Sequence, residues 1–215
     1  MGVMVVGSPP SQSVNLSWGP CVALQRCGVC HILMVMRAAC VAVAIFMAVV
    51  TIRGSDPPLR VVDGVDLGRY AGKWYEIARL PNKVQDRCAT DVVAQYSVRA
   101  DNRIDVVNQC RKADGKLEQA RGIARKAGDA KTNAILQVRF APAILSFLPM
   151  VWGDYWILGL GPDYTWAVVG VPSREHLWIL SRTPGLSERS YGQALEIARG
   201  NAFDVKRLVR TEHTQ

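Results

Sequence analysis

Acidic side chains are missing from the first 33 of the 215 residues, and one arginine, Arg26, is the only basic residue there besides a histidine. That stretch has glycine, proline and serine but no sustained periodicity, so it reads poorly as a folded unit. Histidine is scarce: the three in the chain show no metal-ligand spacing with cysteine or acid, so no metal site is expected. Basic residues outnumber acidic ones, 26 to 18, but they are scattered. No basic cluster is interleaved with aromatics, which argues against a nucleic-acid groove; a membrane surface is the anionic partner left open. A long apolar run is lacking too. The stretch 38–52 is too short to favour a spanning helix. No nucleophile–base pair, phosphate loop or metal cluster follows it, so neither an enzyme nor a cofactor is expected.

The run 38–52, preceded by Arg37, suits the hydrophobic part of a secretory signal. The expectation is a start at Met34 or Met36, with 1–33 an unstructured upstream extension and 34–55 the signal-like segment. An uncleaved anchor is the alternative. Two motifs here are set aside. Cys27-Gly28-Val29-Cys30-His31 matches a haem-attachment pattern, but it precedes the signal-like run and no helical haem domain accompanies it. Met1-Gly2 has Val6 where myristoylation needs serine or threonine, and Cys40 lies close behind Arg37, a poor setting for a lipid anchor.

After Asp56-Pro57-Pro58 the composition changes, and 59–211 reads as one domain. It is organised around Gly68 and Gly72, which punctuate a loop, and Trp74, which opens a half-buried strand as far as Arg79. Further strands are expected near 92–98, 104–111, 117–126, 136–140, 154–160, 165–171 and 177–182. Short turns such as Asp101-Asn102 and Asp114-Gly115 separate them. The expected fold is therefore all-β: an eight-stranded up-and-down antiparallel barrel, which leaves no free edge. The alternative is a two-sheet sandwich. A helix from Ser187 to Gly200, apolar at Tyr191, Ala194, Leu195 and Ala198, is expected to pack outside it, and a ninth short strand is expected within 205–209.

In a strict meander, loops alternate between the two ends. The start of the first strand, the loop 161–164 and the end of the eighth strand then meet at one end. Gly72, Trp74 and Arg182 are read as a structural plug there, with the guanidinium of Arg182 stacked on the indole. Cys88 and Cys110 fall at neighbouring strand ends on the opposite, open rim. In an exported protein they favour a disulfide over two free thiols. Inward positions expected to bind a ligand are Glu76, Ala78, Tyr96, Val98, Val106, Asn108, Leu136, Val138, Phe140 and Tyr155. Glu76 is placed on the face of Trp74 and Ala78. The connection 141–153 is long and apolar for a surface loop, and Phe147 and Leu148 are read as its ligand-entry residues, dipping into a bilayer; the alternatives are a static lid over the mouth or a contact that pairs two protomers.

Three segments also carry a resemblance. Gly72-Lys73-Trp74-Tyr75-Glu76-Ile77-Ala78-Arg79, Gly161-Pro162-Asp163-Tyr164 and Leu177-Trp178-Ile179-Leu180-Ser181-Arg182-Thr183-Pro184 resemble, in order, the three signatures of the lipocalin family. The likeness is to its bacterial outer-membrane and apolipoprotein-D-like branches and covers roughly residues 60–211. It implies a carrier of fatty acid or lysophospholipid, exported to the periplasm or outer membrane and engaged in envelope lipid storage, transport or maintenance. The departure at Cys40 leaves the lipid anchor in doubt. The competing expectation is a plugged barrel serving as an envelope interaction module. A lipocalin-like enzyme using Glu76 is a third.

Overall fold

The computed structural model describes residues 57–214. The upstream extension, the signal-like segment and their four cysteines lie outside the described residues.

Strands β1 (Gly72–Arg79), β2 (Thr90–Val98), β3 (Ile104–Arg111), β4 (Leu117–Lys126), β5 (Ile135–Arg139), β6 (Gly153–Leu160), β7 (Trp166–Gly170) and β8 (Leu177–Ser181) run in sequence order, each antiparallel to the next. β1 then pairs with both β8 and β2, closing the barrel. The turn chemistry follows the sequence: Asn102 and Gly115 take the left-handed backbone their tight turns need, at φ 60° and 79°. A sandwich is thereby ruled out.

Helix α2 (Glu188–Gly200) is capped by Ser187, whose Oγ accepts the Ser190 N–H. It buries Tyr191, Ala194 and Ala198 against the outside of the barrel, where Ile77, Val168 and Ile179 form the facing layer. A second cluster, including Trp74, Leu136, Ile157 and Val169, fills the inside. Two layers thus share one sheet, the inner around the site and the outer under the helix.

Three departures from the sequence reading have physical causes. The Gly68–Gly72 stretch contains a short helix, α1 (Leu67–Tyr70). Asp66 caps it, its Oδ1 accepting from the Gly68 and Arg69 N–H groups at 2.8 and 3.2 Å. Residues 205–207 form a 3₁₀ turn, and the ninth strand, β9, is only Val209–Arg210. Its place is the third departure. β1 and β2 pair only from Gly72↔Tyr96 to Tyr75↔Val93. Towards the open rim the two strands part, and the C-terminal tail fills the gap. β9 pairs antiparallel with Ala78–Arg79, and the Thr211 N–H donates to the Ile77 carbonyl. On the other side Glu212 bridges Thr90 in parallel, and Thr214 donates to Asp91 from both its N–H and its hydroxyl, at 2.8 and 2.7 Å. The insertion thus gives backbone partners to both separated strands, the Ile77 carbonyl accepting from Thr211 and the Asp91 N–H donating to the Glu212 carbonyl.

Candidate functional site: the barrel cavity

At the closed end Trp74 is fully buried and its Nε1 donates to the Tyr70 carbonyl at 2.8 Å. The Arg182 guanidinium stacks 3.8 Å from the centre of the indole ring. The same group donates to the carbonyls of Arg69, Tyr70, Lys73 and Tyr164, at 2.6 to 3.2 Å. One cation therefore ties the start of β1, helix α1 and the 162–164 turn to the end of β8, and partial burial holds its pKa below the ordinary arginine value. Gly72, at φ 100°, lies against this guanidinium; a Cβ there would come within 3.2 Å of its Nη1.

Above the plug the barrel holds a cavity of about 690 Å³, open at the other end. Tyr70, Tyr96 and Tyr155 form its floor, their hydroxyls in a chain: Tyr70 to Tyr155 at 2.8 Å and Tyr155 to Tyr96 at 3.0 Å. Burial pushes all three phenols up, Tyr96 to about 12, so each keeps its proton. Val106, Leu136, Val138 and Ile104 line the walls, with Ala94, Ala120 and Ala124 leaving the space open. Asn108 lies in the wall with its buried Oδ1 unpartnered. Phe140, His176 and the disulfide-bonded pair Cys88–Cys110, with Cα atoms 5.5 Å apart, stand around the mouth.

Of the ten inward positions read from the sequence, eight border this cavity: Glu76, Tyr96, Val106, Asn108, Leu136, Val138, Phe140 and Tyr155. Two do not. Ala78 faces outward into the layer under α2, because β1 shifts register between Glu76 and Ala78 and the bulge flips the alternation. Val98 is 41% exposed. It lies two residues beyond the Gly72↔Tyr96 pair, where β1 has not yet begun, so β3 alone flanks it, through the Val98↔Ile104 pair.

Glu76 is buried and its carboxylate is fully engaged. Oε1 accepts from Arg79 at 2.7 Å and from Thr211 at 2.6 Å, and Oε2 accepts from Gln85 at 2.7 Å. Gln85 in turn accepts from the indole of Trp178 at 2.8 Å. The carboxylate thus binds the β1–β2 connection and the C-terminal tail to the barrel wall. A proton-transfer role would require breaking this set.

The 141–152 connection folds as two short 3₁₀ turns. Ile144, Phe147 and Met150 are 79%, 76% and 85% exposed, while Leu148 is half-buried. The loop is held from below. Arg139 donates to the carbonyls of Ala141 and Pro142, Arg125 stacks 3.8 Å over the Trp152 ring, and Trp152 donates to the Ser146 carbonyl. Neither Phe147 nor Leu148 borders the cavity.

Among the lining residues that sequence reasoning passed over are Tyr70, Gln85, Trp178 and His176. Gln85 and His176 sit in connections with no periodicity, and Tyr70 lies in the stretch read as a loop. Trp178 was visible as part of a strand but not as a partner of Gln85.

A family model described as a lipocalin-like domain matches residues 65–213. Temperature-induced lipocalin-1 of Arabidopsis thaliana is 40% identical over 154 residues, covering 71% of this chain and 82% of the plant protein. The outer membrane lipoprotein Blc of Escherichia coli K12 is 37% identical over 171 residues, 78% of this chain and 91% of that protein. Among solved structures, insecticyanin from the tobacco hornworm Manduca sexta aligns with a TM-score of 0.56 at 20% identity, covering 74% of this chain and 86% of that one. With a closed barrel, one outer helix and a domain-long family match, the chain belongs to the lipocalin family.

Proposed function

We propose that the protein binds and carries a small hydrophobic molecule in its barrel, most simply a fatty acid or lysophospholipid. The observation that carries this is the continuous cavity of about 690 Å³ with a mainly aliphatic and aromatic wall. That volume lies within the range typical of small-molecule sites, about 300–1,000 Å³. A plugged barrel acting only as an interaction module has no use for such space, which removes the main support for that alternative. Membership of the lipocalin family supports carriage over catalysis, as does the engagement of every Glu76 oxygen.

The setting we infer is the cell envelope. Similarity to proteins named as outer membrane lipoproteins supports it. So does the Cys88–Cys110 disulfide, a bond that persists in oxidising compartments. Among the described residues no helix is long and apolar enough to cross a membrane. Membrane contact falls instead to the 141–152 loop at the mouth. Ile144, Phe147 and Met150 project from it, and an exposed apolar cluster beside an opening suits a lipid surface. Lipid would then pass between bilayer and barrel without crossing water. Mass spectrometry of lipids released from protein purified from its native compartment tests the reading. Roughly stoichiometric acyl lipid is expected, and lipid-free protein that also takes up no added fatty acid overturns it.

A further inference from the structure

The floor of the cavity is unusual for a pocket whose occupant is purely a hydrocarbon chain. Tyr70, Tyr155 and Tyr96 bring three phenolic hydroxyls together through two contacts. Each hydroxyl has one proton to donate, and burial keeps all three protonated. Two contacts consume two protons. One donor is left over however the chain of hydrogen bonds is oriented, since no other partner accepts from these three oxygens among the described contacts. Tyr155, the middle member, is the least buried of the three. Asn108, one inward step from Val106 on the strand paired with Tyr96, adds nothing to this floor, because its Oδ1 is shielded from the cavity.

Charge defines what this floor accepts. Among the described residues lining the cavity none is lysine or arginine, while Glu76, Glu118 and Asp154 border it. The nearest guanidinium below, Arg182, lies beneath Trp74 and donates to four backbone carbonyls. Arg79, beside the wall, is paired with Glu76. An anion driven to the floor would lose its hydration with no cation to meet it, which is costly. A methyl terminus would leave the spare hydroxyl proton without a partner.

Resting on the carrier reading, we propose that the tyrosine cluster is a recognition site for a neutral oxygen, a hydroxyl or a carbonyl, at the end of the ligand that enters the barrel first. A hydroxyl or a carbonyl there accepts from the spare tyrosine proton. The ligand is thus an apolar chain or ring system with a polar head at the mouth and an uncharged oxygen at its far end. Sites built to hydrogen-bond a ligand oxygen discriminate against analogues that lack it, because the stranded protein group stays unpaired.

The test is calorimetric titration of the purified protein with three chains of equal length, hexadecanoate, 16-hydroxyhexadecanoate and hexadecanedioate. All carry a carboxylate for the mouth, and they differ only at the leading end. The hydroxy acid is expected to bind about five- to tenfold more tightly than hexadecanoate, the worth of one hydrogen bond at roughly 1 kcal/mol. The dioate is expected to bind most weakly. In Tyr70→Phe with Tyr96→Phe and Tyr155→Phe, which removes all three hydroxyls and with them the spare donor, the advantage of the hydroxy acid should shrink to less than twofold. A tyrosine difference spectrum on wild-type protein gives a second readout that needs no variant: the hydroxy acid should perturb it more than hexadecanoate does. Equal affinity for hexadecanoate and the hydroxy acid overturns the proposal while leaving the carrier reading intact, and so does tightest binding of the dioate. Binding of none of the three overturns the carrier reading itself.

Discussion

Removing the indole of Trp74 and the guanidinium of Arg182, singly and together, probes whether the closed end is one unit. Trp74 has no exposed surface, and its ring system meets Tyr70 at 5.0 Å between centroids and the Arg182 guanidinium at 3.8 Å. Trp74→Ala should cost about 3–5 kcal/mol, the usual range for truncating a large core aromatic. Arg182→Ala removes four donations to carbonyls and the stacked cation. Its charge is partly in water, so its expected cost is lower, about 2–3 kcal/mol from a few charge-assisted bonds and one cation–π contact. If the two groups act through each other, the double variant loses less than the sum. The shortfall should be about 1–2 kcal/mol, since without the indole the guanidinium has no ring to cover and the carbonyls it holds are free to move. Urea unfolding of the four proteins, monitored by far-ultraviolet circular dichroism, provides the cycle. Additivity to within about 0.5 kcal/mol would refute the coupling, because that is the behaviour of independent sites.

Other outcomes follow from single features. Reduction of Cys88–Cys110 should destabilise the protein by about 2–4 kcal/mol, checked by comparing unfolding midpoints with and without reductant. The backbone N–H and hydroxyl of Thr214 hold the Asp91 carboxyl at about 2, below its ordinary 3.8. A depressed pKa contributes stability that is present above the unfolded value and lost as pH falls through the folded one, so the C-terminal tail should loosen between about pH 4 and pH 2. Hydrogen exchange at Thr214 and Asp91 reads this, and Asp91→Asn should abolish the pH dependence. Gly170→Ala would place a methyl 2.6 Å from Phe203 and 2.9 Å from Leu158. It should cost about 1–3 kcal/mol in thermal unfolding, as overpacking does. Phe147→Ser with Met150→Ser should slow lipid transfer from vesicles at least severalfold while leaving affinity for monomeric fatty acid intact. Unchanged transfer would remove the loop from the route, and equal loss in both assays would make it a lid.

The meander was legible because its strands alternate cleanly and its turns carry glycine, aspartate and asparagine where the backbone needs them. Counting loops then sufficed to bring Trp74 and Arg182 to one end and the two cysteines to the other. Local irregularity defeated the same reasoning. A one-residue bulge turned Ala78 outward, and nothing in the composition of 76–78 announces it. Val98 was misplaced because alternation gives a face but not where the neighbouring strand starts. The tyrosine cluster joins a helix residue, a β2 residue and a β6 residue, and the tail's insertion between β1 and β2 depends on how far those strands diverge. Both are properties of the closed barrel and not of any one segment.

The central claim, that a lipid-like ligand occupies the interior, is tested most directly by filling it. Ala94 lies on the cavity wall between its strand partners Trp74 and Asn108, and Ala94→Trp builds an indole into the space away from the mouth loop. Titration with hexadecanoate should give about one bound chain per wild-type molecule, and the variant should bind at least tenfold more weakly while its folding, followed by circular dichroism, is preserved. Undiminished binding by the folded variant would place the ligand outside the barrel and contradict the account.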